Sequence, residues 1–381
     1  MTLVLAGGVA RADDFTPAEL VLMKLFGSDP ITPEMFTANF LAQVSMPQIL
    51  SVFAKTRATV GPPVSIEEAG NSYIVHTATY RIPVDIGLDP DGRVAALLLH
   101  PAVPTFATID DVFKAIDALK GQAAYLITRN GEVLHAKSQT QPLAVSSGVK
   151  LAVLAAVADE IAAGRLAWDT IVRLGPNDIS LAPGVLQTMP PGSPLTVHTL
   201  AAFMISQSDG TATDALLDLV GRDKVAREAG TDFVLKTSEF FKLKADPALR
   251  LRFTGADTSA EKLKVAADMA KMPLPNPADT GAPLDSGVEW YMPATRLCEL
   301  IGKVAGLDVF VMNPGVARPN DWTQIAFKGG SEVGVASLTS ALTDKAGNRY
   351  CVTMTLNDRT ALDEDRLTSL YGALIDKLAG R

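Results

Sequence analysis

A chain of 381 residues, 48% of them hydrophobic, is long enough to bury the cores of two ordinary domains. Its formal charge of -8 and pI near 5.1 argue against nucleic acid and anionic membranes as partners, since an acidic surface attracts neither. Past the first residues, no uncharged apolar stretch reaches the roughly 18 residues of a transmembrane helix, so a soluble mature protein is expected.

The chain opens on a short apolar run, Thr2 to Ala10, ending at Ala10-Arg11-Ala12 before Asp13-Asp14. That is the pattern of the distal part of a secretory signal with its small-residue cleavage site, although no basic segment precedes it. Residues 1–12 are therefore read as a signal peptide and the protein as exported, periplasmic or secreted; an ordinary buried segment is the alternative. Residues 16 to 60 carry apolar positions at helical spacing, with Pro17 and Pro33 set like first-turn residues after Thr16 and Thr32. Two or three short helices are expected there. From Ile66 the pattern turns to strands: Ser72 to Thr79, Tyr80 to Ile86, the turn Asp89-Pro-Asp-Gly92, then Val94 to Leu99. Helices followed by a meander predict a small α+β domain over 13–104. Pro101-Ala-Val-Pro-Thr-Phe106 reads as an extended connection, and 105–122 as a linker with a helix near Ile109 to Leu119.

A second domain is expected over 123–381. It begins with Ala123 to Arg129, Asn130-Gly131 and Glu132 to Lys137, the strongest hairpin signal in the chain. Val149 to Ala163 is too continuously apolar for a surface helix, and Gly164 ends it, so a core helix is predicted. Leu195 to Ile205 also reads as a helix. Ala326-Phe327, Val333 to Ser340 and Tyr350 to Leu356 read as strands before a last helix from Leu362 to Leu378. One sheet is thus built from both ends of the domain.

Cys298 and Cys351 are 53 positions apart, without CxxC spacing, and buried thiols are the plain reading. A disulfide is open if the protein is exported, but sequence does not place the two sulfurs within reach. His76, His100, His135 and His198 are scattered without ligand spacing, so no metal and no cofactor are expected.

Three motifs carry chemistry: Ser147-Gly-Val-Lys150, Ser208-Asp209-Gly210 and Lys328-Gly-Gly330-Ser331. Together they supply a nucleophilic hydroxyl, an amine to activate it, a second hydroxyl to relay protons and a second cation, an acyl-transfer set without histidine. Ser-x-x-Lys alone is weak, since roughly one or two copies arise by chance in such a length. A second copy, Ser259 and Lys262, sits in the capping box Thr258-Ser-Ala-Glu261 and reads as structural. Ser147 instead sits where a turn enters an apolar helix, with Lys150 one turn on and on the same face. Ser146 is a competing hydroxyl, but its i+3 neighbour is Val149. Glycines after Lys328 let backbone approach a ligand and let an amide face an oxyanion.

In order and context these motifs resemble those of the penicillin-recognising serine enzymes, especially class A β-lactamases, over roughly residues 120 to 381. The resemblance implies an antiparallel sheet with helices on both sides plus an all-helical lobe. Ser-Asp-Gly in place of Ser-Asp-Asn, behind a helical-plus-meander domain, is similar to the two-domain hydrolases associated with clavulanic acid biosynthesis, whose first domain has a steroid-isomerase-like cone fold. Two departures stand out: Gly329 replaces the hydroxyl residue after Lys328, and no Glu-x-x-Leu-Asn element lies between the second and third motifs.

What the resemblance implies is an acyl-enzyme on Ser147 with β-lactam or ester substrates, and weak β-lactam turnover. Lys150 would take the proton, and Ser208 would pass one to the leaving group with help from Lys328. The amides of Ser147 and Ser331 would hold the oxyanion, with Gly210 and Gly330 contributing to the binding surface. Glu289-Trp-Tyr-Met-Pro293 would lie at the floor or rim of the site, or else pack as an aromatic pair before a helix. A D,D-peptidase acting on cell-wall peptides would use the same residues, and a non-catalytic binding scaffold is the third reading.

Overall fold

The computed structural model describes residues 15–381 except 71, 282, 283, 285 and 286, so the signal-peptide reading of residues 1–12 lies outside the described residues. The fold is α+β, and the chain divides into two compact units, Met1–Lys114 with Thr368–Lys377, and Ala115–Leu367 with Leu378–Arg381.

In the first unit, α1 (Pro17–Phe26), α2 (Ala38–Gln43) and α3 (Met46–Val60) precede a meander. Their starts are set by side chains. Thr16 and Glu19 form a reciprocal cap on α1, Thr37 caps α2 through the Phe40 amide, and Ser45 with Gln48 caps α3. β1 (Pro63–Ala69), β2 (Ser72–Thr77), β3 (Tyr80–Leu88) and β4 (Val94–Leu99) pair antiparallel in chain order, and β5 (Val103–Pro104) joins β3. The connection read from Pro101 onward is thus partly an edge strand, a position that tolerates proline because no outward ladder bond is lost. Leu22, Leu25, Phe26, Phe53, Val75, Ile82 and Val84 form the core. Arg81 makes a buried two-pronged ion pair with Asp376 of the same unit.

α4 (Ile109–Asp117) leads to β6 (Gln122–Arg129) and β7 (Glu132–Lys137), which close on Asn130 and Gly131 with φ of 51° and 88°. Positive φ at both positions is what a two-residue hairpin with the right twist requires. After β8 (Leu143–Ala144) comes α5 (Lys150–Ala162), buried along Lys150 to Val157, which accounts for its unbroken apolar character. β9 (Ile171–Arg173) and β10 (Pro194–Thr196) form a small ribbon before the lobe of α6 (Val197–Ser206), α7 (Gly210–Val220), α8 (Arg222–Ala229), α9 (Thr237–Ala245), α10 (Pro247–Thr254) and α11 (Ser259–Met269). β11 (Tyr291–Met292) pairs with β8, and α12 (Ala294–Val304) follows. β12 (Trp322–Glu332), β13 (Val335–Asp344) and β14 (Arg349–Asn357) complete an antiparallel sheet in the order β12-β13-β14-β6-β7, and α13 (Glu364–Leu378) closes the chain. β14 is central and buried throughout after its first residue, so it reads as a continuous apolar and threonine run.

The cysteines are not free thiols. Cys298 on α12 and Cys351 on β14 form a disulfide with Cα atoms 5.7 Å apart. The plain reading failed because helix and strand meet only in the folded core, where Leu297, Leu300 and Ile301 of α12 are buried. No helix of the described residues is long and apolar enough to cross a membrane.

Candidate active site

Ser147 lies in one 3-10 turn, Ser146–Val149, that runs into α5 at Lys150. The turn is held from two sides. Val145 donates its amide to the Trp290 carbonyl at 2.9 Å, and the Ser146 hydroxyl donates to the Ser331 carbonyl of β12 at 3.0 Å. Ser146 has a φ of 47°, a conformation costing about 1 to 3 kcal/mol for a residue with a Cβ, and these two bonds are what hold it there. Ser146, which has no base one turn on, is therefore a strut.

Lys150 is 2% exposed, and its Nζ donates to Ser147 Oγ at 3.1 Å, to Ser208 Oγ at 3.1 Å and to the Ser208 carbonyl at 2.5 Å. Ser208 sits between α6 and α7 with a φ of 57°, the second strained serine beside this site. From β12, Lys328 donates to Ser208 Oγ at 2.9 Å and to the Gly329 carbonyl at 2.5 Å. Oγ of Ser147, Nζ of Lys150, Oγ of Ser208 and Nζ of Lys328 thus form one unbroken chain.

Burial pushes the Lys150 ammonium down to about 8, against the opposing charges of Asp214 and Asp209. Burial, and then the charge of Lys150, hold Lys328 well below the ordinary lysine value. A lysine near 8 is neutral often enough at neutral pH to accept a proton and charged often enough to return it.

Asp209, the middle of the second motif but given no role by the sequence, and Asp214, which the sequence did not single out, are both fully buried. Asp209 caps α7 through the Ala212 amide at 2.9 Å and reaches the amides of Val185 and Leu186 at 2.7 and 2.9 Å. Asp214 accepts from the amides of Thr237 at 2.6 Å and Ser238 at 2.9 Å, yet burial raises it to about 6. The signal that could have found them is an acidic pair, five residues apart, inside a segment otherwise free of charge up to Leu217.

β12 supplies the remaining wall. A side chain on Gly330 would meet the Val145 carbonyl at 2.2 Å and the amides of Ser147 and Gly148 at 2.8 Å, so only glycine allows the Ser147 turn this close. In a strand, N–H and C=O of one residue face the same neighbour. The Ser331 carbonyl faces Ser146, so its amide also points to the open edge of β12 beside Ser147. The Ser331 hydroxyl donates to Glu364 at 2.5 Å.

Gly210 lies elsewhere than expected of a binding glycine. Its amide donates to the Pro183 carbonyl at 3.2 Å, and a side chain there would press on Ser180, Leu181 and Thr237. It is a packing glycine beneath the site. In the second Ser-x-x-Lys copy, Thr258 and Glu261 cap α11, Ser259 donates to the Asp232 carbonyl, and the Lys262 ammonium lies over the Phe253 ring. Trp290 stacks on Phe240 with centroids 4.4 Å apart and donates from its indole to the Leu235 carbonyl, so this aromatic segment packs and also anchors the Ser147 turn. Among the described residues no group of three or more His, Cys, Asp and Glu could hold a metal.

Residues 105–273 match the family described as Beta-lactamase2, the beta-lactamase enzyme family. The match takes in Ser147, Lys150 and Ser208, while Lys328 lies beyond the matched residues. Among solved structures, a beta-lactamase from Sphaerobacter thermophilus aligns at 20% identity over 71% of this chain and 96% of that one, with a TM-score of 0.51, which shows the fold. A beta lactamase from Xanthomonas campestris aligns at 14% identity over 72% and 99%, TM-score 0.49. PBP-A aligns at 16% identity over 72% and 99%, TM-score 0.48. No curated protein matches the chain.

Proposed function

We propose that this protein is an active-site serine hydrolase of the beta-lactamase and penicillin-binding type that forms an acyl-enzyme on Ser147 with β-lactams or esters and releases it slowly. The observation that carries the reading is the Ser147, Lys150, Ser208, Lys328 chain, each contact between 2.9 and 3.1 Å. Neutral Lys150 takes the Ser147 proton as Oγ bonds to the carbonyl carbon. The amides of Ser147 and Ser331 bind the oxyanion, a contribution of about 3 to 4 kcal/mol per donor. As the C–N or C–O bond breaks, Ser208 hands a proton to the leaving atom and is resupplied from Lys150. Lys328 holds Ser208 in place and offers a positive charge to a substrate carboxylate.

Slow release follows from the acids nearby. Asp209 and Asp214 each have both oxygens engaged by backbone amides, so neither offers a spare oxygen to orient a hydrolytic water. Export is part of the proposal, because the Cys298–Cys351 disulfide belongs to an oxidising compartment.

The test is product release from a fluorescent penicillin, nitrophenyl esters and an acyl-D-Ala-D-Ala peptide, with wild type and Ser147→Ala. A burst equal to the enzyme concentration, then a slow phase, is expected from the penicillin on wild type alone. Preferred turnover of the peptide would redirect the reading to a D,D-peptidase. No burst and no turnover would leave a binding scaffold.

A further inference from the structure

Beside the site, a buried lysine meets one buried and one largely covered carboxylate. Lys244 of α9 is 1% exposed and Glu289, two residues before β11, is 0% exposed, with Nζ to Oε1 at 2.9 Å. Glu332, the last residue of β12 and 14% exposed, lies 3.6 Å from the same ammonium through one carboxyl oxygen, and its other oxygen, Oε1, is buried without a hydrogen-bond partner among the described residues. Among the described residues, two carboxylates around one ammonium leave a net negative charge in a largely desolvated site, which is costlier than keeping one proton. A hydrogen bond between the two carboxyls would satisfy the buried Glu332 Oε1, and it requires that one of the two carry a proton.

The position of this trio matters. Glu289 precedes Trp290, whose carbonyl holds the Val145 amide, and Glu332 follows Ser331, whose carbonyl holds the Ser146 hydroxyl. The two struts of the Ser147 turn are therefore each one residue from a member of the trio.

We propose that Glu332 is a positioning residue that shares one proton with Glu289, and that this proton ties the end of β12 to the segment before β11 so that the Ser147 turn and the Ser331 amide keep the geometry for acylation. The proposal rests on the reading of Ser147 as nucleophile. Loss of the proton sets two carboxylates against each other, the end of β12 moves away from Glu289, and the oxyanion donor moves with it. Burial and the Glu289 carboxylate push the Glu332 carboxyl up to about 9, against the pull of Lys244, so the proton is kept at neutral pH and lost in mild alkali. Among the described residues, the charged groups facing it are Lys244 from α9 and Glu289, and Arg250 of α10 donates to the Leu243 and Lys244 carbonyls. Lys150 and Lys328 titrate nearby and must be told apart from it.

Glu332→Gln mimics the protonated acid and does this. The rate of penicillin acylation is measured across pH in wild type, Glu332→Gln and Glu289→Gln. Wild type is expected to lose acylation above about pH 9, roughly tenfold by about pH 10, and Glu332→Gln to lack that fall. In Glu289→Gln, Glu332 keeps Lys244 and loses the opposing carboxylate, so its fall moves to lower pH or vanishes. An unmoved alkaline fall in both variants assigns it to a lysine and overturns the proposal.

Thermal unfolding reads the same proton without any substrate. Because the folded-state value is raised, the stabilisation is full below the ordinary glutamate value and is lost as pH climbs through about 9. The melting temperature of wild type should therefore fall relative to Glu332→Gln over that window. Parallel melting curves would overturn the shared proton even if Ser147 acylates as proposed, and diverging curves without acylation would uphold it while sinking the serine hydrolase reading.

Discussion

Lys150 and Lys328 stand on either side of one hydroxyl, that of Ser208, and both are almost wholly buried. Charging both costs desolvation twice and mutual repulsion once, so at least one is neutral part of the time. For Lys150 the sign is explicit: lowered to about 8, it is protonated below that value and a base above it. Acylation by wild type should therefore rise about tenfold per pH unit up to about 8 and level there before the alkaline fall above about 9, as stopped-flow labelling would measure. Lys150→Arg, which stays charged at every accessible pH, should lose about a hundredfold to ten-thousandfold and show no such rise. A rate that survives in Lys150→Arg with the same profile would move the base elsewhere. Gly330→Ala belongs to this scale too. Its Cβ would lie 2.2 Å from the Val145 carbonyl, inside contact distance, so the turn must retreat and acylation should fall sharply while the fold persists. Unchanged labelling would show that the turn tolerates the shift.

The junction of α6 and α7 rests on Asp209. It binds three buried amides at 2.7 to 2.9 Å, two of them in the Val185–Leu186 segment. Asp209→Ala strands those donors and removes an N-cap, which should cost about 3 to 5 kcal/mol in urea unfolding. Asp209→Asn, keeping one acceptor, should cost about half as much, and equal stability of all three proteins would contradict the cap. The sequence made the β6–β7 hairpin, α5, β4 and β14 legible because turn chemistry or apolar period is strong there. It left β5, β8, β9, β10 and β11 unread, since two or three residues carry no period and their pairing is fixed only by distant partners such as Leu143 with Met292. The site divided in the same way. Ser147 and Lys150 are readable at local spacing, and Ser208 and Lys328 through their motifs. Asp214 meets Thr237 and Ser238, and Lys244 meets Glu289 and Glu332, only through the fold.

On the scale of the whole molecule, the catalytic proposal concerns the second unit alone, which holds both the sheet and the helical lobe. Its one covalent brace among the described residues joins α12 to the central strand β14 across 53 residues. By the loop-entropy argument, opening a loop of that size costs about 4 kcal/mol, on the order of 10 °C in melting temperature. Replacing both cysteines by serine should reproduce the shift seen with reductant, and a melting temperature indifferent to both would show the brace to be idle. The acidic balance of -8 favours no polyanion and is compatible with small substrates drawn in by the local charge of Lys328.

The most direct measurement is the intact mass of the protein after mixing with benzylpenicillin and acid quench, followed by peptide mapping. A gain of one penicillin on the peptide containing Ser147, absent in Ser147→Ala and persisting for many minutes, is the predicted result. An unmodified wild-type mass, or a label that maps to another residue and survives Ser147→Ala, would contradict the account.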